Sequence, residues 1–166
     1  MSETVRDLRR ILLRDLDTLR AELEAYPRED QIWEAPEGIR NTAGTLALHL
    51  TGNLHHYVGA VLGGLPYVRD RPGEFGDRDV PRGELLEGIA AAREAVGQVL
   101  ANLSEDRLVE PFPEEVAGVR PPTGRFLMHL AVHFGYHLGQ LDYHRRIVTG
   151  TPDGLGAQSV AILMEG

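Results

Sequence analysis

Four stretches of this chain repeat apolar residues at intervals of three and four, and that periodicity leaves little choice of fold class. Over residues 4–26 the repeat is Val5, Leu8, Leu12, Leu16, Leu19, Leu23 and Tyr26, with Pro27 closing it. At about 100° per residue these side chains form one stripe on a helix. A second stretch, 42–63, carries Leu46, Leu50, Leu54 and Val61 behind Asn41 and Thr42, either of which suits an N-cap. The third, 82–103, buries Leu85, Leu86, Ile89, Ala92, Val96, Val99 and Leu103; the fourth covers 124–149, with Thr123 as its expected cap. Strand-length alternation is missing, and so is a dinucleotide-type glycine loop. The reading is all-α: one domain over residues 1–166, built as a four-helix bundle.

The connections are rich in Pro and Gly. One of them, "GGLPYVRDRPGEFGDRDVP" after the second helix, is nineteen residues long, and loops of that length without periodicity are usually functional or mobile. The tail "GTPDGLGAQSVAILMEG" is glycine-rich and then briefly apolar, so "SVAIL" suits packing on the bundle, a partner subunit or a short strand.

Charge and cysteine content narrow the function classes. With 25 acidic and 17 basic residues the net charge is −8, the wrong sign for neutralising phosphates, so nucleic acid is not expected as a partner. The local arginine clusters "RDLRR", "VRDRPGEFGDR" and "YHRR" read as solvated faces and loops. No apolar run is long enough for a membrane span. The opening "MSETVRDLRRILLRDL" lacks the apolar block of a signal peptide, so a cytoplasmic location is expected. Cysteine is absent, which removes disulfides, a cysteine nucleophile and thiolate metal sites.

Four of the seven histidines fall within "HLAVHFGYHLGQLDYH", residues 129–144. On a helix His129, His133, His137, Gln140 and His144 share an arc of about 80°, where an ordinary core would place leucine. Residues at i and i+4 have Cβ atoms about 5–6 Å apart, close enough for two imidazoles to meet one ion. At 1.5 Å per residue the stripe runs some 22 Å, so one ion cannot use all of it. Spacing leaves two pairs open, His129 with His133 or His133 with His137. A third ligand has to come from a facing helix, where "TLALHLTGNLHHYVG" places His49 at an inward position among leucines. Asn53, His56 and Tyr57 follow on His49's side, while His55 points away and reads as solvated. HExxH, Glu-x-x-His and G-x-S-x-G are all missing, which excludes a zincin, a ferritin-like di-iron site and a nucleophile-elbow hydrolase.

The segments "PEGIRNTAGTLALHLTGN", "HFGYHLGQ" and "LGQLDYHRR", in this order, resemble the DinB-like superfamily of metal-binding four-helix bundles. That family sets a histidine of an "HL" segment on helix 2 against an HxxxH followed by Gly-Gln, and the resemblance covers residues 5–149. It implies an up-down-down-up helix order with a long helix 2–3 connection, and metal ligands at His49, His133 and His137. His129 is then pocket wall, core or outer support, and His144 and His56 lie outside the ligand set. Three histidines leave coordination positions open, the catalytic pattern. All-nitrogen ligation suits zinc, nickel, iron or copper, of which zinc or nickel is expected first and iron next. The resemblance further implies a homodimer, a small-molecule substrate and a low-molecular-weight thiol cofactor for S-transfer to an electrophile. A metal-dependent hydrolase and a non-catalytic stress-response module are the rivals. Substrate contacts are expected from Asn53, His56, Tyr57 and His129, with Arg40, Arg69 and Arg71 as anion contacts.

Overall fold

The computed structural model describes residues 2–155 and 160–164. Its helices are α1 (Glu3–Glu24), α2 (Ala43–Leu54, continued by a π-helical segment, His55–Leu62), α3 (Arg71–Gly76), α4 (Arg82–Asn102) and α5 (Thr123–Thr149). Short 3-10 turns cover Asp30–Trp33, Glu105–Leu108 and Val160–Leu163. The four long helices are the four periodic stretches. Their starts follow capping chemistry. Ser2 accepts from the Val5 N–H at the head of α1, and Thr42 accepts from the Thr45 N–H at the head of α2. At α5 the expected cap is displaced by one residue: Thr123 is already helical, and its buried hydroxyl donates to the Glu110 carbonyl instead. Among the described residues β structure is limited to two isolated bridges, Pro111–Pro122 and Val116–Val119. No described helix is long and apolar enough to cross a membrane.

Cross-helix contacts give the direction of each helix. Arg9 donates to the Gly97 carbonyl near the start of α1, and Arg82 donates to the Tyr26 carbonyl just past its end, so α1 and α4 run antiparallel. Glu22 and Tyr26 meet Arg145 and His144, so α1 and α5 end together and run parallel. Gly59 and Gly63 of α2 lie against Ala95 and Val99 of α4, a parallel pair. The order is therefore up-down-down-up, and reversing direction twice is what obliges the 63–81 connection to be long. Leu12, Leu16, Leu19 and Leu23 of α1, Leu46, Leu50 and Leu54 of α2, Ile89 and Val96 of α4, and Leu127, Phe134 and Leu141 of α5 close one core.

The structure departs from the sequence reading in several places. Residues 71–76 of the connection form α3, opened by Asp70, whose carboxylate accepts from the Gly73 N–H. After Leu54 the second helix widens, and the Gly63 N–H reaches back five residues to the Val58 carbonyl. His55 is only partly solvated. The chain doubles back after Gly64 (φ +66°) and lays Tyr67 flat on the His55 ring, with centroids 4.1 Å apart. Arg145 of "YHRR" is no surface residue either: it is 2% exposed and bound to the equally buried Glu22 at 2.5 Å. Of "SVAIL", Ser159 lies outside the described residues, while Val160–Leu163 turn beside α1 rather than forming a strand.

Around Arg145 a polar cluster ties the end of α1 to the end of α5. The His144 Nε2–H donates to the Glu34 carbonyl at 2.8 Å, which leaves Nδ1 to accept the Tyr26 hydroxyl, also at 2.8 Å. Burial holds the His144 pKa down, and the Glu34 carbonyl only partly opposes this. Two outcomes follow. Arg145→Ala strands the Glu22 carboxylate in the core and should cost about 3–5 kcal/mol in chemical denaturation. For His144, an unfolded chain binds its proton more readily than the folded one, so the neutral ring stabilises above histidine's ordinary 6.5 and the advantage is lost as pH falls below it. The stability gap between wild type and His144→Phe, measured by urea titration of the metal-free protein, should narrow on acidification from pH 7.

Candidate metal centre

Helices α2 and α5 pass each other antiparallel, which sets His49 against the middle of α5. His49 takes an inward position of the leucine stripe and is 7% exposed. His133 and His137, one turn apart, approach it from α5 with ring centroids 5.1 and 5.4 Å from its own, and 4.6 Å from each other. One nitrogen from each ring lies within 4.8 Å of the other two. Of the two pairs that spacing left open, the bundle brings the second to His49. His129 stands a turn away, exposed, stacked on Phe126 and 6.1 Å from the His133 ring.

A carboxylate from α3 backs the site. Glu74, 6% exposed, accepts from the His49 Nδ1–H at 3.0 Å. Arg69 grips the same carboxylate from the other side, Nε to Oε1 at 2.6 Å and Nη2 to Oε2 at 2.8 Å. Glu74 reaches this depth because residue 52 is glycine: any Cβ there would collide with Oε1. Burial alone would raise the Glu74 pKa, but the hydrogen bonds from His49 and Arg69 and the guanidinium charge outweigh it and hold the carboxyl below its usual range. An ionised carboxylate only accepts, so His49 carries its proton on Nδ1 and turns the Nε2 lone pair inward. The Nδ1 of His137 is held in the same way by the Gln140 Oε1 at 2.7 Å. Outer partners of this kind fix the tautomer and aim of ligating imidazoles.

The donor set fits a transition-metal ion. The His49 and His133 Nε2 atoms are 3.3 Å apart, so a proton or a cation has to lie between two lone pairs. Two nitrogens bound tetrahedrally at about 2.0–2.1 Å would be separated by about 3.3–3.4 Å. Burial, and then the neighbouring imidazoles, push the His133 pKa down to about 4, and burial lowers that of His137. Both rings are therefore neutral at pH 7, the protonation state that binding a cation requires.

The other candidate residues divide between two places. Asn53 is buried on α2, one turn beyond His49. Tyr57 lies under the Arg69 guanidinium and edge-on to Phe126, while His56 meets Glu114 at 3.1 Å. Tyr57, Phe126 and His129 thus form a continuous wall running to His133. The Arg69 guanidinium, read as an anion contact, is engaged with Glu74. Arg71 sits over the Phe75 ring. Arg40 is elsewhere: it lines a cleft of roughly 290 Å³ with Ile39, Gln140, Tyr143 and Ile147, next to the residue that holds His137. Sequence reasoning passed over Glu74. The Asp70-Arg71-Pro72 helix start was a legible signal for α3, but nothing local marks which acid the fold takes inside.

Glu74→Gln should lower the affinity for Zn²⁺ by about 10–100-fold in competition with a chromophoric chelator. Gly52→Ala, which expels the carboxylate without touching a ligand, should give a loss of similar size. Unchanged affinity in both would remove Glu74 from the site.

Comparison with known proteins agrees with this geometry. No match to the chain was found among curated proteins. The family model described as DinB superfamily matches residues 11–141, which takes in most of α1, all of α2 to α4 and the part of α5 that carries His133 and His137. With most of its length matched and three histidines set together as a group able to hold a metal ion, the chain belongs to the DinB superfamily.

Proposed function

We propose that this protein is a cytoplasmic metal-dependent enzyme of the thiol S-transferase type, acting on a small electrophilic molecule with zinc or nickel held by His49, His133 and His137. The observation that carries the reading is the convergence of three imidazoles, two of them aimed by Glu74 and Gln140, with a 3.3 Å contact between nitrogens. A divalent ion held there would favour the ionised form of a coordinated thiol near neutral pH. Three protein ligands leave room for such a group, whereas a closed structural site would use four.

The chain's own residues supply position and proton handling. Glu74 and Gln140 keep His49 and His137 in the ligating tautomer. The Tyr57–Phe126–His129 wall gives an apolar surface on which a substrate body can lie beside the trio. In the transfer, the thiol sulfur bonds to the electrophilic carbon, the leaving group departs with its electron pair, and the thiol proton passes to water.

Elemental analysis of tag-free protein should find one ion per chain in wild type and none in His133→Ala or His137→Ala. Metal at a hundredfold excess over its Kd should stabilise wild type by about 2.7 kcal/mol, and a chelator should remove the gain. In a panel of low-molecular-weight thiols with electrophiles, turnover should require the metal and vanish in His137→Ala. Metal uptake without turnover would make the chain a binding module, and no uptake in wild type would overturn the site.

A further inference from the structure

A cleft of roughly 290 Å³ opens between the segment leading into α2 and the last turns of α5, near the lower size of small-molecule sites. Its floor is Leu46 and His144, both buried. The His144 ring offers a ligand no polar atom, because the Tyr26 hydroxyl and the Glu34 carbonyl already take both nitrogens. Ile39, Tyr143 and Ile147 make apolar sides, each 40–63% exposed. The polar groups stand on the rim. Among the described residues, the side chains of Arg40 and Asn41 have no hydrogen bond or ion pair. Gln140 gives its Oε1 to the His137 Nδ1–H, which leaves its amide hydrogens without a partner there. The chain holds this rim from both sides. The Ile39 N–H donates to the Pro36 carbonyl at 2.9 Å, and Gly38 (φ +80°) supplies the positive φ that such a turn needs at its third position. Two residues beyond Arg40, Thr42 caps α2.

We propose that this cleft is a second ligand site, taking a small molecule with a flat apolar body and one carboxylate, and that its occupancy is felt at His137 through Gln140. The rim selects the polar end of the ligand. Arg40 can only donate and Gln140 has only donors left, so the ligand has to bring acceptor oxygens, and a carboxylate matches the guanidinium fork. One guanidinium balances one negative charge. Glu37 inside the turn and a net charge of −8 disfavour a dianion such as a phosphate monoester. The aliphatic sides and the Tyr143 ring suit an aromatic body. A carboxylate that accepts from the Gln140 amide pins the side chain that orients His137, and so favours the ligating arrangement of that imidazole. This link rests on the metal reading, whereas the cleft itself does not.

Calorimetric titration of tag-free protein with 2-naphthoate, with and without saturating Zn²⁺, tests both halves. Metal-free wild type should bind naphthoate, and should bind the neutral 2-naphthalenemethanol at least ~10-fold more weakly. Arg40→Met removes the charge without stranding a partner and should lose a similar factor, with circular dichroism confirming the fold. His133→Ala, deprived of a metal ligand, should bind naphthoate as metal-free wild type does, so failure of the metal reading and failure of the cleft are told apart. Zn²⁺ should raise the naphthoate affinity about fivefold, and naphthoate should raise the Zn²⁺ affinity by the same factor in chelator competition. Gln140→Met should abolish that mutual gain. Absence of binding at millimolar naphthoate overturns the site, and so does equal binding by Arg40→Met or of the neutral alcohol. A wild type that binds naphthoate and Zn²⁺ independently, or takes up no Zn²⁺, overturns the link to His137.

Discussion

One carboxylate inside the bundle connects the parts of this protein that matter for its chemistry. Glu74 is held by a guanidinium on one side and an imidazole on the other, and neither contact exists without the long connection between α2 and α4. An unpaired charge at that depth would be costly, so burial of Glu74 requires Arg69 and His49 to be where they are. In return the carboxylate fixes the His49 tautomer, and with it the direction of the lone pair that faces α5. Gly52 is the steric condition for all of this: the carboxylate occupies the volume a side chain on α2 would take.

Histidines on one helix reach different ends because of what lies opposite them. His144 is buried between a tyrosine hydroxyl and a backbone carbonyl, so both nitrogens have a partner and neither is free for an ion. His137 has only Nδ1 engaged, and His133 turns Nε2 to another nitrogen. His129 is exposed and supports the wall beside the site. The polar cluster around Glu22 and Arg145 closes the far end of the α1–α5 pair, while the histidine trio occupies the α2–α5 seam. Both are polar devices in an otherwise leucine-rich bundle, and they differ in whether a lone pair is left over.

Helix α5 carries three demands at once. One side completes the core, an adjoining strip supplies two of the three histidines that could hold a metal ion, and the opposite side is apolar and exposed. This explains why its sequence looks less regular than that of α1, whose single stripe of leucines has only one neighbourhood to satisfy.

The fold was legible because helical periodicity and capping are local. The leucine spacing of α1, α2 and α4, the Thr42 cap and the terminating Pro27 each act within a few residues, and the helix ends fall within about two residues of that reading. The histidine stripe was legible for the same reason, and geometry on one helix even excluded a single ion for all of it. Spacing could not choose between His129 and His137 as the partner of His133, because that choice rests on where α2 crosses α5. Nor could it foresee that Glu74, Arg69 and Arg145 would lie inside, or that Tyr67 would cover His55. Burial of a charge depends on a partner supplied from elsewhere in the chain. By itself the sequence determined four helices, their apolar faces and a set of candidate ligands. Only the tertiary structure decided which histidines meet, because convergence on one ion is a property of packed helices rather than of any one of them.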